Sequence, residues 1–129
     1  MAASEWVILD TSALAAFLGN EAGGRTVAAY HHKLAIPFMT LTELVYLVSR
    51  RQGEEEAVAQ YAMIRKWGRP ILWPDEPTLL TAARLKAQYG LGVADAYIAA
   101  FARTYGAPLL TKDRDCERVR GEVALLPLT

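Results

Sequence analysis

The sequence is poor in the residues that form disulfides or bind soft metals. It contains one cysteine, Cys116, and two histidines among 129 residues. A single cysteine cannot form an internal disulfide, which is typical of reducing compartments. No apolar run approaches the roughly 18 residues that a membrane span needs, and residues 1–5 lack the basic start of a secretory signal. We therefore expect a cytoplasmic protein that does not enter a membrane.

The sequence also lacks an excess of charge of either sign. Lys and Arg together number 14, as do Asp and Glu, so the formal net charge is zero. A protein that binds nucleic acid through its own charge alone is basic. If this chain binds RNA, positive charge has to be supplied locally, and bound metal ions would supply it. No glycine-rich nucleotide fingerprint is present, so no nucleotide cofactor is implied.

The order of apolar segments predicts an α/β fold. Short runs rich in strand-forming residues predict five strands, at residues 6–9, 34–38, 71–73, 109–111 and 123–126. Helical spacing of apolar residues predicts six helices, at residues 13–18, 25–32, 40–51, 54–67, 76–89 and 93–105. The alternation indicates a mainly parallel sheet with helices on both faces, in one domain over residues 1–129.

Four acids lie at the ends of predicted strands or the starts of predicted helices. Asp10 follows the first strand, and Asp113 follows the fourth. Because the carboxyl ends of parallel strands share one edge of the sheet, both carboxylates are expected to face one crevice. Asp95 and Glu43 each fall in the first turn of a predicted helix. The combination indicates a functional site.

Each acid taken alone also has an ordinary structural interpretation. Asp10 would serve as a helix cap, and Asp95 as a first-turn acid favoured by the helix dipole. Glu43 would point to solvent, and Asp113 would cap a loop. These alternatives stay open at the level of the single residue.

Four carboxylates cannot lie together in their charged form unless cations neutralise them. Oxygen ligands without His or Cys select Mg²⁺ or Mn²⁺. Such a cation lowers the pKa of a bound water, and a second cation about 3.5–4 Å away stabilises the leaving oxygen of a phosphodiester. The acids therefore predict metal-dependent hydrolysis by a metal-activated water.

Four segments resemble the motifs of PIN-domain nucleases. In chain order they are ILDTSAL at 8–14, TEL at 42–44, GVADAYIAA at 92–100 and LLTKDRD at 109–115. Their order and spacing match, and the likeness spans nearly the whole chain, which is similar in size to the VapC-like toxins of type II toxin–antitoxin pairs. The resemblance implies a PIN-like three-layer α/β/α sandwich and an Mg²⁺- or Mn²⁺-dependent endoribonuclease. It implies that four acids hold the metal and serve catalysis: Asp10, Glu43, Asp95 and Asp113.

The resemblance also suggests supporting residues and partners. Ser12 and Thr111 match hydroxyl positions that support the metal site, although capping explains them equally well. Asp115 is a fifth acid that either joins the site through water or caps the turn before Cys116. The implied partners are the RNA substrate, a small antitoxin whose tail blocks the crevice, and a second copy of the chain in a homodimer.

Other functions compete with this interpretation. A PIN-like protein without catalytic activity would bind RNA or act as a scaffold. The presence of all four acids argues against this alternative. A Mg²⁺-dependent phosphoacceptor signalling domain would use Thr111 and Lys112, but it needs an acid pair after the first strand, where this chain has one acid. A phosphatase of the haloacid dehalogenase type needs a second aspartate at position 12, which is Ser12.

Overall fold

Each of the first three strands is followed by two α-helices in the computed structural model, which describes residues 5–128. The strands are β1 (Val7–Leu9), β2 (Leu34–Pro37), β3 (Ile71–Leu72), β4 (Leu109–Leu110) and β5 (Leu125–Leu126). The α-helices are α1 (Thr11–Leu18), α2 (Gly24–Ala29), α3 (Phe38–Gln52), α4 (Glu54–Arg65), α5 (Glu76–Tyr89) and α6 (Val93–Tyr105). None of these helices is both long and apolar enough to cross a membrane. The prediction that no secretory signal is present concerns residues 1–5. Of these, residues 1–4 lie outside the part of the chain that the structure describes.

The five strands form one sheet in the order β3-β2-β1-β4-β5. Every neighbouring pair is parallel, and the central β1 pairs through Ile8 with Ala35 on one side and Leu109 on the other. The carboxyl ends of all strands therefore meet at one edge. Each predicted strand is present but one or two residues shorter than its apolar run, because these runs continue into the adjoining loops.

The two faces of the sheet carry separate cores. Side chains alternate along a strand, so Ile8 points to one face while Val7 and Leu9 point to the other. Ile8 packs in a cluster with buried residues of α5 and α6. Val7 and Leu9 belong to a second cluster with residues of α1, α3 and α4. This arrangement is a three-layer α/β/α sandwich, and it confirms the predicted fold class.

Helix α3 begins earlier than its apolar spacing predicts. Its first residue is Phe38, directly after Pro37, which ends β2 and occupies the N-cap position with φ −59°. Proline cannot donate to a further ladder bond but fits the start of a helix, so strand and helix meet there without a loop. Glu43 consequently lies in the second turn of α3, not in the first turn as predicted.

The charged stretch after β4 forms a 3-10 helix, Arg114–Val119, that the charge pattern does not predict. Cys116 and Val119 are its buried residues, three positions apart, which is the repeat of a 3-10 helix. At its start, the Asp113 carboxylate accepts a hydrogen bond from the Asp115 backbone N–H at 2.9 Å. The turn thus fixes Asp113 and Asp115 next to the end of β4.

Glu122 anchors the segment that leads into β5. Its carboxylate accepts hydrogen bonds from Arg84 at 2.7 and 3.1 Å, from the Tyr89 hydroxyl at 2.5 Å and from Arg103 at 3.3 Å. The Arg84 hydrogen bond is the largest of the effects that lower the pKa of Glu122 to about 2. The contacts tie the end of the chain to α5 and α6, and so hold β5 against β4.

Candidate metal centre

One cleft at the carboxyl edge of the sheet collects the predicted acids. Its volume is about 280 Å³. The residues that line it come from α1, α3, α6 and the segments that follow β1 and β4: Asp10, Thr11, Ser12, Ala15, Glu43, Leu47, Asp95 and Asp113. Residues as much as 103 positions apart in the sequence therefore meet in one crevice. All four acids singled out from the sequence are among them.

Asp10 is held by hydroxyl groups and does not cap a helix. It occupies the N-cap position of α1, but its side chain makes no capping hydrogen bond. Its Oδ2 accepts from Thr111 Oγ1 at 2.6 Å and from Ser12 Oγ at 2.7 Å, and Asp10 is only 2% exposed. The Lys112 and Asp113 backbone N–H groups in turn donate to Ser12 Oγ (2.8 Å) and Thr111 Oγ1 (2.9 Å). Both hydroxyls therefore support Asp10.

Glu43 is oriented by a residue that the sequence reasoning missed. Thr11 Oγ1 donates to Glu43 Oε1 at 2.6 Å, across 32 positions of sequence. Thr11 is itself buried at the start of α1. Its place beside Asp10 in the first motif is the signal that could have identified it, because a partly buried carboxylate needs a donor.

Asp95, Asp113 and Asp115 form the tightest acidic group among the described residues. One carboxylate oxygen from each lies within 4.8 Å of the others. Burial raises the pKa of Asp95 to about 6, with further contributions from Asp113, Asp10, Glu43 and Asp115. All four neighbouring acids therefore disfavour the charged form of Asp95, in addition to the effect of burial. This indicates that negative potential is high at this end of the cleft.

The donor set of the cleft fits a hard divalent cation. The acids offer only oxygen atoms, and Mg²⁺ and Mn²⁺ prefer such ligands. Cys116 lies close by, since Thr111 Oγ1 approaches its Sγ to 3.8 Å. Cys116 is only 2% exposed and does not line the cleft, and burial raises the pKa of its thiol to about 12. A cation at this place would also offset the repulsion between the acids, which adds to the effect of burial on the pKa of Asp95.

The sequence model of the PIN domain family matches residues 7–122, a range that contains the whole cleft. The chain belongs to the PIN domain family. No curated protein sequence matches it. Family membership confirms the resemblance drawn from the four motifs, and it favours a nuclease over a phosphoacceptor domain or a phosphatase.

Several solved structures share this PIN fold. DNA-bound VapBC from Salmonella typhimurium has a TM-score of 0.79 at 19% identity, covering 96% of this chain and 98% of that chain. VapBC-1 from nontypeable Haemophilus influenzae has a TM-score of 0.75 at 20% identity, covering 95% and 97%. PAE2754 from Pyrobaculum aerophilum has a TM-score of 0.66 at 25% identity, covering 92% and 88%. The predicted likeness to VapC-like proteins is thus confirmed at the level of the fold.

Proposed function

We propose that this PIN-domain protein is a divalent-metal-dependent endoribonuclease and the toxin of a toxin–antitoxin pair. One observation carries the proposal: four separate segments of the chain bring Asp10, Glu43, Asp95 and Asp113 into one cleft. A purely structural role does not account for such a gathering, because like charges in a partly buried space destabilise a fold.

Two groups of acids are proposed to hold the cations. Asp95, Asp113 and Asp115 form one group, since their oxygens lie within 4.8 Å of one another. Asp10 and Glu43 line the same cleft as Asp95 and Asp113 and form the second group, Asp10 through Oδ1 because Oδ2 already accepts two hydrogen bonds. A bound Mg²⁺ or Mn²⁺ supplies a Lewis acid that acidifies water and offsets phosphate charge.

The chain contributes preorganisation to this chemistry. Ser12 and Thr111 fix the orientation of Asp10, and Thr11 fixes that of Glu43, so the carboxylates need little rearrangement to bind a cation. Without a cation the same carboxylates repel the phosphates of RNA. The cleft therefore accepts its substrate only together with the ion, which explains how a chain of zero net charge acts on a polyanion.

A cleavage assay with controlled metal content tests the proposed function. Mixed-sequence single-stranded RNA is expected to be cut by the protein in Mg²⁺ or Mn²⁺. Cleavage is expected to stop in EDTA and to resume when excess metal is restored, because the acids alone cannot stabilise the charge of the reacting phosphate. DNA of the same sequence serves as the comparison substrate. Cleavage that persists in EDTA would contradict the metal mechanism, and RNA left intact under every metal condition would contradict the nuclease.

Partners are proposed from two surfaces of the fold. A groove of about 150 Å³ between α1 and α3 shares Ala15 and Leu47 with the acid-lined cleft, so an antitoxin segment bound there would reach and block the acids. Exposed apolar side chains around the starts of α5 and α6, among them Leu79 and Val93, suit the interface of a homodimer. A cytoplasmic location is part of the same proposal, because a chain with one cysteine forms no internal disulfide, as is typical of reducing compartments.

The hydrogen bond between Thr11 and Glu43 leads to a prediction about metal affinity. Thr11→Val keeps the shape of the side chain but removes the donor, so Glu43 loses its fixed orientation. We expect the affinity for Mn²⁺, measured by isothermal titration calorimetry, to fall about tenfold, as is usual when the support of a metal ligand is lost.

The matched variants for this experiment lie next to the site. Thr11→Ser keeps the hydroxyl and should retain most of the wild-type affinity. Thr42→Val removes a hydroxyl that only donates to the Phe38 carbonyl within α3, and should leave Mn²⁺ binding unchanged. Equal affinities of Thr11→Val and the wild type would show that Thr11 does not position Glu43.

A further inference from the structure

A second groove opens beside the acid-lined cleft, along β4 and β5. Its volume is about 290 Å³, and Asp113 lines both the groove and the cleft. Thr111, whose hydroxyl holds Asp10, is also part of its wall. A polymer with its reacting group in the cleft therefore has an open path into this groove.

The cationic side chains of the groove differ in what they already contact. Arg120 binds Glu117 through Nε and Nη2 at 2.6 and 2.8 Å, so these two charges offset each other. Lys112 Nζ donates to the Ala22 carbonyl at 3.0 Å and lies 4.0 Å from Glu21. Both cations are therefore partly satisfied within the protein.

Arg114 is the cation of the groove that keeps its charge available. Its side chain is exposed, and no ion pair or side-chain hydrogen bond joins it to another residue within 5–128. It lies between Asp113 and Asp115 in the chain, so it is adjacent to two members of the acidic group. This guanidinium is therefore open to contact with an anion next to the metal centre.

Apolar residues at the end of the chain complete the groove. Leu125 and Leu126 of β5 and the following Pro127 line it together with the charged residues. Leu125 and Leu126 are partly buried, and Pro127 is exposed. A nucleotide combines the same two properties, because its base has an apolar face and its phosphate is an anion that guanidinium groups bind well.

We propose that this groove is a nucleotide subsite, in which Arg114 contacts a phosphate next to the scissile one and the apolar residues of the chain end support the adjoining base. The inference rests on the proposed ribonuclease function and names the part of the substrate that the protein holds outside the metal centre. An acidic protein tail would also be attracted to Arg114, but continuity with a cleft suited to phosphodiester chemistry favours RNA.

The test measures binding and cleavage of a mixed-sequence single-stranded RNA decamer by Arg114 variants. Arg114→Gln is expected to raise the Kd, measured by fluorescence anisotropy in Ca²⁺, and the KM in Mg²⁺ about tenfold, with kcat nearly unchanged. The slope of log K against log salt should become shallower by about 0.7, the value for one phosphate contact on a single strand. Arg114→Lys should keep the wild-type slope, and Arg114→Glu should bind more weakly than Arg114→Gln.

Arg65→Gln is the matched control, because Arg65 is an exposed arginine at the end of α4, on the side of the sheet where β3 begins. It should behave as the wild type. If the wild type cleaves RNA and Arg114→Gln has the same KM and salt slope, the proposed nucleotide subsite is refuted. The proposed ribonuclease function is not affected by that result. If, in addition, the wild type binds a Glu-rich peptide and Arg114→Gln does not, the groove binds a protein partner. The nucleotide subsite is then also refuted. An intact RNA in the wild-type assay would instead refute the proposed function itself.

Discussion

We expect the Asp10→Asn protein to cleave RNA at least about a thousandfold more slowly than the wild type while remaining folded. The asparagine amide would have nearly the shape of the carboxylate that it replaces, and the hydroxyls of Ser12 and Thr111 can turn to suit it. The negative charge is lost, however, at a position that is 2% exposed and central to the cleft. The cation would then lose an anionic ligand that no neighbouring residue replaces.

The measurement is a single-turnover rate at saturating Mg²⁺, with circular dichroism to confirm the fold. Glu55→Gln provides the matched control, since Glu55 is an exposed acid in the first turn of α4 and does not line the cleft. It should cleave at the wild-type rate. A folded Asp10→Asn protein with more than a tenth of the wild-type rate would remove Asp10 from the proposed metal site.

The second large effect is on stability: Asp95→Asn should stabilise the metal-free protein while abolishing cleavage. Burial and the neighbouring acids raise the pKa of Asp95 to about 6, which means that its charged form is disfavoured in the folded chain. An uncharged amide at this position would avoid the penalty. After allowance for solvent screening of a half-exposed group, we expect about 1–2 kcal/mol in the free energy of unfolding, or about 5 °C in Tm.

The stability gained by Asp95→Asn over the wild type should increase as the pH rises. Well below pH 3.8, the ordinary pKa, Asp95 is protonated in the folded and unfolded chains alike, and the two proteins have equal stability. Between that value and about 6, the folded chain retains a proton that the unfolded chain has released, so wild-type stability falls relative to the variant as the pH rises. Above about pH 6 the penalty is complete and constant.

In Mg²⁺ the wild type should be more stable than Asp95→Asn, which is the reverse of the order expected without metal. A ligand that binds only the folded state adds about 2.7 kcal/mol at a hundred times its Kd, and the wild type alone keeps the full acidic group that binds it. Thermal unfolding in EDTA and in Mg²⁺, at pH 7.5 and pH 4.5, checks both statements. Asp95→Asn with a lower Tm than the wild type in EDTA at pH 7.5 would show that Asp95 stabilises the fold and is not under repulsion.

Helices α5 and α6, which have local signals at both ends, could be predicted to the residue. The observed bounds of α5 and α6 equal the predicted ones. Asp75 caps α5 by accepting from the Thr78 N–H, and Gly90 and Gly106 end the two helices at φ 68° and 61°. The helix predicted over 25–32 has no such signal after it, and α2 ends at Ala29 instead.

Local patterns in the sequence were sufficient to predict the alternation of strands and helices, the parallel sheet and the four acids at its carboxyl edge. These features depend on short-range signals, namely apolar periodicity, caps and the position of an acid after a strand. The same information identified the family, because its motifs are contiguous stretches of chain.

The contacts of each side chain, in contrast, became known only from the folded chain. Thr11 reaches Glu43 across 32 positions, and Thr111 reaches Asp10 across 101, so no local pattern separates a capping hydroxyl from one that supports a carboxylate. The place of Asp115 beside Asp95 likewise depends on how a 3-10 turn packs against α6. Such contacts are set by the packing of helices on the two faces of the sheet, which brings distant residues to the same edge.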